Sequence, residues 1–159
     1  SVSTDGVVLP GYWLDPPEFG RGVLPVIGPL DPFFRQFLPG DRLRETRHLD
    51  ALSVAVSMRE HLSTGDLNVL GPVVIDAQHA ERAAIDEPGT RLYLEGNREI
   101  YFGRPPSLLA PGELPVAIKW RHLMEGVDLL LSADGEVTDW DLLDLRWDVP
   151  NLRPRIGYQ

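Results

Sequence analysis

The sequence contains no cysteine, no apolar run near the roughly 20 residues needed to cross a bilayer, and few basic residues. The missing cysteine excludes disulfides and cysteine-based zinc sites, and it is compatible with either redox compartment. Lysine and arginine together number 15 against 24 aspartates and glutamates, which gives a net charge of −9. This acidic balance argues against nucleic acid or an anionic membrane surface as a partner.

The remaining composition is globular, because 43% of the 159 residues are apolar. Glycine and proline, with 15 residues each, are concentrated between Asp5 and Gly40. Proline fixes φ and cannot donate to a sheet ladder. We therefore expect short strands joined by extended loops in this part of the chain, starting with a hairpin in Ser1–Leu9 around Asp5-Gly6.

Two helices are predicted from apolar spacing near 3.6 residues. The first runs from about Thr46 to Leu62, with Gly65 just beyond it as a terminator. The second runs from about Glu113 to Leu131, with Pro115 in its first turn. The stripe of the first helix is Leu49, Leu52, Val56 and Arg59, with Ala51, Ala55 and Met58 beside it; that of the second is Val116, Trp120, Leu123, Val127 and Leu130.

A β-hairpin is predicted in "RLYLEGNREIYFG". Leu92 and Leu94 share one face of its first strand, and Ile100 and Phe102 share one face of its second strand. If these two apolar faces coincide across the ladder, Leu94 opposes Ile100 and the loop has three residues. Two further strands are predicted at Val73–Ile75 and Arg82–Ile85.

The stretch "LLDLRWDVP" alternates apolar and charged residues, which is typical of a half-buried strand. After a turn at Pro150-Asn151, Leu152–Tyr158 is expected to return as an edge strand, because Pro154 cannot donate to a neighbour. The set expected in the core is Leu143, Leu145, Trp147 and Val149, and the set expected in water is Asp144, Arg146 and Asp148.

The order of these elements predicts the α+β class. We expect a curved, mixed or antiparallel sheet with two main helices packed on one face. A single domain is expected to span residues 1–159, with Pro/Gly-rich strands and loops up to residue 45.

No residue pattern makes a positive case for catalysis, a metal or a cofactor. The four histidines lack HExxH or HxH spacing, and exposed or helix-terminal places are expected for all of them. Ser53 and Ser57 of the first helix are interpreted as having no chemical role. The GxG at Gly20 and Gly22 is not followed by a helix, as a phosphate-binding loop would be. We therefore expect a non-enzymatic protein with no catalytic, cofactor-binding or metal-binding residue.

Four stretches, in this order, resemble the extracytoplasmic β-domain of the cell-division proteins of the FtsQ/DivIB family. "STDGVVLP" is similar to the hairpin that opens that domain, and "LPVIGP" to the segment that follows it. "RLYLEGNREIYFGRP" resembles the central hairpin, followed by a helix with a lysine, here Lys119. "LLDLRWDVPNLRPR" resembles the closing strands, with Trp147 where the family usually has tyrosine.

The resemblance implies a scaffold that recruits small coiled-coil proteins similar to FtsB and FtsL to the division site. A partner strand would extend the sheet at its C-terminal edge by β-augmentation. Because the chain begins with Ser1, we expect an excised or processed part of a longer protein. The resemblance implies that this parent is a single-pass inner-membrane protein and that this part lies on the extracytoplasmic (periplasmic) side. The expected partner-binding residues are Arg146, Trp147, Leu152, Arg153, Arg155, Ile156 and Tyr158.

Two other functions stay open at this point. One is a small extracytoplasmic hydrolase or carbohydrate-binding domain that uses Tyr12, Trp13, Trp140 and nearby aspartates. The other is a purely structural module of a larger envelope protein. A deep pocket that holds convergent carboxylates would favour the hydrolase.

Overall fold

Six strands form one open, mixed sheet in the computed structural model, which describes residues 2–9, 25–28, 37–84, 87–108, 110–131 and 142–153. In chain order the strands are β1 (Val26–Gly28), β2 (Val73–Asp76), β3 (Ala83–Ala84), β4 (Glu87–Pro88), β5 (Thr90–Leu94), β6 (Arg98–Gly103), β7 (Leu142–Asp144) and β8 (Asn151–Arg153). The sheet order is β1-β2-β5-β6-β7-β8, and β3 and β4 form a separate ribbon. β1 and β2 are parallel, as are β6 and β7, whereas the other neighbours are antiparallel. The predicted α+β class is confirmed.

Three helices accompany these strands in the described part of the chain: α1 (Thr46–His61), α2 (Thr64–Leu70) and α3 (Val116–Leu131). The first helix was predicted to end at about Leu62, and α1 ends at His61, one residue earlier. The second begins three residues later than predicted, because the carbonyl of Pro115 accepts the first helical hydrogen bonds, from the amides of Ile118 and Lys119. None of the described helices is long and apolar enough to cross a membrane.

Helix α2 was not predicted, and the interpretation of Gly65 as a helix terminator is wrong. Ser63 and Asp66 form a capping box that starts α2. The Asp66 amide donates to the Ser63 hydroxyl at 3.1 Å, and the Ser63 amide donates to the Asp66 carboxylate at 3.0 Å. These bonds satisfy backbone donors at the start of the helix. Gly65 therefore lies inside the first turn of α2.

The core lies between one face of the sheet and the helices. Helix α1 contacts β1 and β2, and α3 contacts β7 and β8. Trp120 of α3 packs on Phe102 with ring centroids 4.9 Å apart, and its Nε1 donates to the Ser57 hydroxyl of α1 at 2.8 Å. Ser57 therefore has a structural role that the sequence did not indicate. The pairing registers align one apolar row across all six strands: Ile27, Ile75, Leu92, Ile100, Leu143 and Leu152.

The buried face of α1 differs from the predicted stripe. Leu49 is 40% exposed, whereas Ala51 and Val54 are fully buried and Met58 is nearly so. Apolar residues lie on most sides of this helix, so their spacing alone does not select a face. Leu52 of the predicted stripe is buried as well, so the buried face is shifted toward Ala51 and Val54 rather than reversed.

The central hairpin has the predicted face but not the predicted register. Leu92, Leu94, Ile100 and Phe102 are all buried, as expected. However, Leu92 rather than Leu94 opposes Ile100, and the three-residue loop is 95–97. A shift of two residues returns every side chain to the same face, so the apolar pattern does not distinguish these registers. The loop determines the register, because Gly96 and Asn97 both have positive φ angles, which these two residue types tolerate.

The turn at Asp5-Gly6 is present, although only isolated bridges flank it. Val2 pairs with Val8, and the amide of Gly6 donates to the carbonyl of Ser3. The predicted end of the second helix at Leu131 is confirmed. Most of the Gly/Pro-rich part lies outside the described residues, as does residue 85 after β3. The predictions for those positions stay predictions.

Candidate functional site

Strand β7 is only three residues long, so the predicted alternation through Val149 is wrong. Leu142, Leu143 and Asp144 are all buried, and the chain leaves the sheet after Asp144. Leu143 and Leu145 are fully buried as predicted, but beyond Leu145 the period of two no longer applies. As a result Trp147 is 43% exposed and Val149 is 70% exposed, although both were expected in the core.

Asp144 is fully buried and not in water, because Arg146 folds back onto it. The guanidinium donates from Nε to Oδ1 at 2.9 Å and from Nη2 to Oδ2 at 2.8 Å. The Arg146 amide also donates to Oδ1 at 3.2 Å, and Nε1 of Trp147 donates to Oδ2 at 3.0 Å. One carboxylate thus fixes the first residues of the loop that leads to β8.

These contacts keep Asp144 ionised inside the protein. Burial by itself raises the pKa of a carboxyl group, but the hydrogen bonds and charge of Arg146 outweigh burial here. The pKa of Asp144 is therefore below its ordinary value of 3.8. The pair holds its geometry because the two-pronged guanidinium matches both carboxylate oxygens.

The guanidinium of Arg146 also lies between two aromatic rings. Its Cζ is 5.4 Å from the ring centre of Tyr101 on β6 and 5.5 Å from that of Trp147. Nη1 donates to the carbonyl of Glu87 on β4 at 3.1 Å. Arg146 was predicted as a partner-binding residue, yet its side chain is only 8% exposed. Its structural role is to hold Trp147 in place beside the sheet edge.

A second buried ion pair supports this loop from the α3 side. Lys119, the only lysine in the sequence, has a fully buried side chain, and its Nζ donates to Oε1 of Glu113 at 3.1 Å. Burial lowers the pKa of Lys119 below 10.5, and Glu113 opposes that shift without cancelling it. Both groups crowd around Gly103, where an added Cβ would lie 3.0 Å from Glu113, 3.3 Å from Lys119 and 3.2 Å from Arg146.

Strand β8 forms the end of the sheet in the described part of the chain. It pairs with β7, and Leu152 packs against the core. Of the predicted partner-binding residues, Arg146 and Trp147 lie together and Leu152 lies on the neighbouring strand. For Arg153 only the backbone is described. Arg155, Ile156 and Tyr158 lie outside the described residues.

The histidines follow the expectation only in part. His61 and His79 are exposed, and His48 is buried in the first turn of α1. His122 is buried in the middle of α3, contrary to expectation, and its Nδ1 has no hydrogen-bond partner among the described residues. No group of three or more metal-binding side chains comes together in the described ranges. Tyr12, Trp13 and Trp140 lie outside them.

Sequence reasoning missed the roles of Tyr101 and Lys119. For Lys119 a signal was present, since a single lysine sits within the apolar stripe of α3, between Val116 and Leu123. For Tyr101 no local signal exists, because its contact with Arg146 joins β6 to a loop more than forty residues later.

Comparisons with known proteins place this geometry in no family. No protein-family model, no curated protein and no solved structure matches the chain. The fold defines the class: an α+β protein whose open sheet carries its helices on one face. We therefore infer function from the edge at β8 and from the residues that shape it.

Proposed function

We propose that this chain is a non-enzymatic scaffold domain that binds a partner strand at β8. The partner class is a small coiled-coil division protein similar to FtsB or FtsL, and the parent is a membrane-anchored protein of the FtsQ/DivIB type with this part outside the cytoplasm. The motif order in the sequence supports the family, and the sheet edge supports the mode of binding. No cofactor or metal takes part.

One observation carries the proposal: β8 is the last strand of the sheet in the described part of the chain, and two exposed apolar side chains lie in the loop that leads to it. An edge strand presents backbone donors and acceptors that a second chain can pair with. Trp147 and Val149, 43% and 70% exposed, are the kind of side chains that anchor a partner strand. Isolated exposed apolar residues are common, but here two of them lie in the loop that precedes the edge strand.

The rigidity of the loop adds to this interpretation. The indole of Trp147 donates a hydrogen bond to Asp144 and contacts the guanidinium of Arg146, which in turn lies over the ring of Tyr101. A preorganised anchor loses less side-chain entropy on binding than a mobile one. We therefore expect Trp147 to contribute more to affinity than its exposed area alone would give.

Titration with the FtsB-like coiled-coil protein of the same organism tests the proposal. We expect Val149→Glu to weaken binding about tenfold or more, because a charge enters an apolar contact. Val69→Glu is the matched control, since Val69 is 52% exposed on α2, away from the edge. Equal affinity of both variants and the native chain would contradict the proposal.

Amide hydrogen exchange tests the mode of binding separately. If the partner adds a strand, the backbone amides of Asn151–Arg153 exchange more slowly in the complex. Protection at Trp147 and Val149 without protection in β8 would show docking through side chains and would refute β-augmentation.

A further inference from the structure

A polar cleft with a volume of about 330 Å³ lies away from the β8 edge. It opens between the ends of β2 and β5 on one side and the β3–β4 ribbon on the other. We define the polar cleft by Asp76, His79, Arg82, Glu87 and Arg91, with Pro88 and Gly89 also lining it. Its volume is at the lower end of the roughly 300–1,000 Å³ that small-molecule sites occupy.

Each wall of the polar cleft carries one carboxylate and one guanidinium. On the sheet side, Asp76 of β2 is the register partner of Arg91 of β5. On the ribbon side, Arg82 directly precedes β3 and Glu87 begins β4. The four groups therefore present both signs of charge to the same enclosed volume.

These opposite charges do not neutralise each other across the polar cleft. Among the described residues, neither Asp76 nor Glu87 forms an ion pair with Arg82 or Arg91. Arg82 is 3.7 Å from Glu81, and Arg91 is 3.8 Å from Glu99, distances beyond those of direct hydrogen bonds. The backbone amide of Gln78 holds Asp76 through Oδ1 at 2.9 Å.

We propose that the polar cleft binds a small zwitterion, namely a free amino acid or a dipeptide. The ligand carboxylate lies against Arg82 and Arg91, which suit planar carboxylates, and the ligand ammonium lies against Asp76 and Glu87. A ligand with one charge pairs with one set and leaves the like-charged set beside it, which opposes binding. This site shares no lining residue with the proposed partner edge, although the carbonyl of Glu87 accepts a hydrogen bond from Arg146, and the proposal does not depend on that edge.

The test is a titration followed by two-dimensional ¹H–¹⁵N NMR with three probes. Glycylglycine carries both charges, N-acetylglycine carries only the carboxylate, and glycinamide carries only the ammonium. We expect glycylglycine to shift the amides of residues 76–84 and 87–91 saturably in the millimolar range. The two singly charged probes bind about tenfold more weakly, because each forms half of the contacts.

Variants assign the two ends of the ligand. Arg82→Gln weakens glycylglycine about tenfold and leaves glycinamide unchanged, whereas Glu87→Gln weakens glycylglycine and leaves N-acetylglycine unchanged. Both side chains are exposed, so the fold tolerates either change. Arg59→Gln, an exposed change at the end of α1, is the matched control and has no effect.

Three results overturn the proposal. The first is the absence of saturable shifts with glycylglycine up to its solubility limit. The second is binding of N-acetylglycine or inorganic phosphate as tight as that of glycylglycine, which would indicate a simple anion site. The third is equal loss of affinity in Arg59→Gln and Arg82→Gln, which would indicate nonspecific charge effects.

Discussion

Asp144 accepts four hydrogen bonds at the point where the chain leaves the sheet, two of them from the guanidinium of Arg146. A buried carboxylate is stable only when such donors replace the water that it has lost. The same bonds position Arg146 and Trp147, so one side chain determines the shape of the loop beside β8.

Asp144→Asn is expected to destabilise the protein by about 3 kcal/mol, because it leaves a largely buried guanidinium without its counter-charge. Chemical denaturation of the variant measures this loss. Asp148→Asn, at an exposed position in the same loop two residues after Arg146, is the control and is expected to change stability by less than about 0.5 kcal/mol. Equal stability of both variants would contradict the buried ion pair.

The loss in Asp144→Asn also depends on pH in a defined direction. The pKa of Asp144 is lower in the folded protein than the ordinary value of 3.8. Its charged form therefore contributes stability that is complete above that value and is lost as pH falls through the folded-state pKa. The difference between the native chain and the variant should be constant near neutral pH and shrink below about pH 4.

Lys119 gives a chemical test of burial, since the sequence has no other lysine. Brief treatment with an amine-reactive acetylating reagent should modify the α-amino group of the folded protein and leave Lys119 unmodified. In denaturant both amines should react. Peptide mapping by mass spectrometry reads the result, and comparable labelling of the two amines in the folded protein would show that Lys119 is accessible.

At the scale of elements, the start of β5 and the end of β6 meet at two glycines. Gly89 and Gly103 have φ angles of 70° and 82°, and a bridge joins them where the register of the two strands shifts. A Cβ on Gly89 would lie 2.7 Å from the backbone of Gly103. This crossing brings Glu87 of β4 within hydrogen-bond reach of Arg146.

Gly89→Ala is expected to cost about 3 kcal/mol, because it combines a left-handed backbone with a clash against another backbone. Gly112→Ala is the matched control. Gly112 has a similar φ of 86° but no atom within 4 Å of an added Cβ, so only backbone strain of about 1 kcal/mol remains. Thermal unfolding of the two variants compares these costs, and equal shifts in Tm would exclude the clash.

The packing of β6 against α3 depends on Phe102, which is fully buried against Trp120. Phe102→Ala should lower the free energy of unfolding by about 3–5 kcal/mol, because it leaves a cavity that the rigid sheet fills poorly. Urea denaturation measures the loss. A value below about 1 kcal/mol would show that the assigned core face is wrong.

For the whole molecule, the central fact is that the described residues form an open sheet with helices on one face and β8 at one end. The core extends from β1 to Leu152, so β8 contributes to both stability and the proposed edge. The contribution of β8 to stability is modest, because Leu152 is only partly buried, whereas Leu143 beside it on β7 is fully buried.

Truncation after Asn151 separates these contributions. It should cost about 1 kcal/mol through the loss of Leu152, yet leave cooperative unfolding intact. Binding of the coiled-coil partner should be abolished, because the backbone groups of β8 are gone. Circular dichroism and a binding titration on the same sample check both points. A truncated chain that binds normally would place the partner site elsewhere.

The sequence alone determined the class, the long helices and the buried face of the hairpin. Apolar spacing is a local property, and a helix of 16 residues such as α1 or α3 repeats it often enough to be read. The sequence also predicted an edge strand over Leu152–Tyr158; β8 contains its first two residues, and the edge role argued from Pro154 stays a prediction. Of the candidate site, the sequence identified Arg146, Trp147 and Leu152 as neighbours.

Only the tertiary structure decided the hairpin register, the buried side of α1 and the environment of Asp144. The first depends on loop geometry, since registers two residues apart bury the same face. The environment of Asp144 depends on Tyr101 and Glu87, which are distant in sequence and contact the guanidinium of Arg146. A carboxylate that alternates with leucines is ordinarily solvated, and it is buried here because an arginine two residues later supplies both charge and hydrogen bonds.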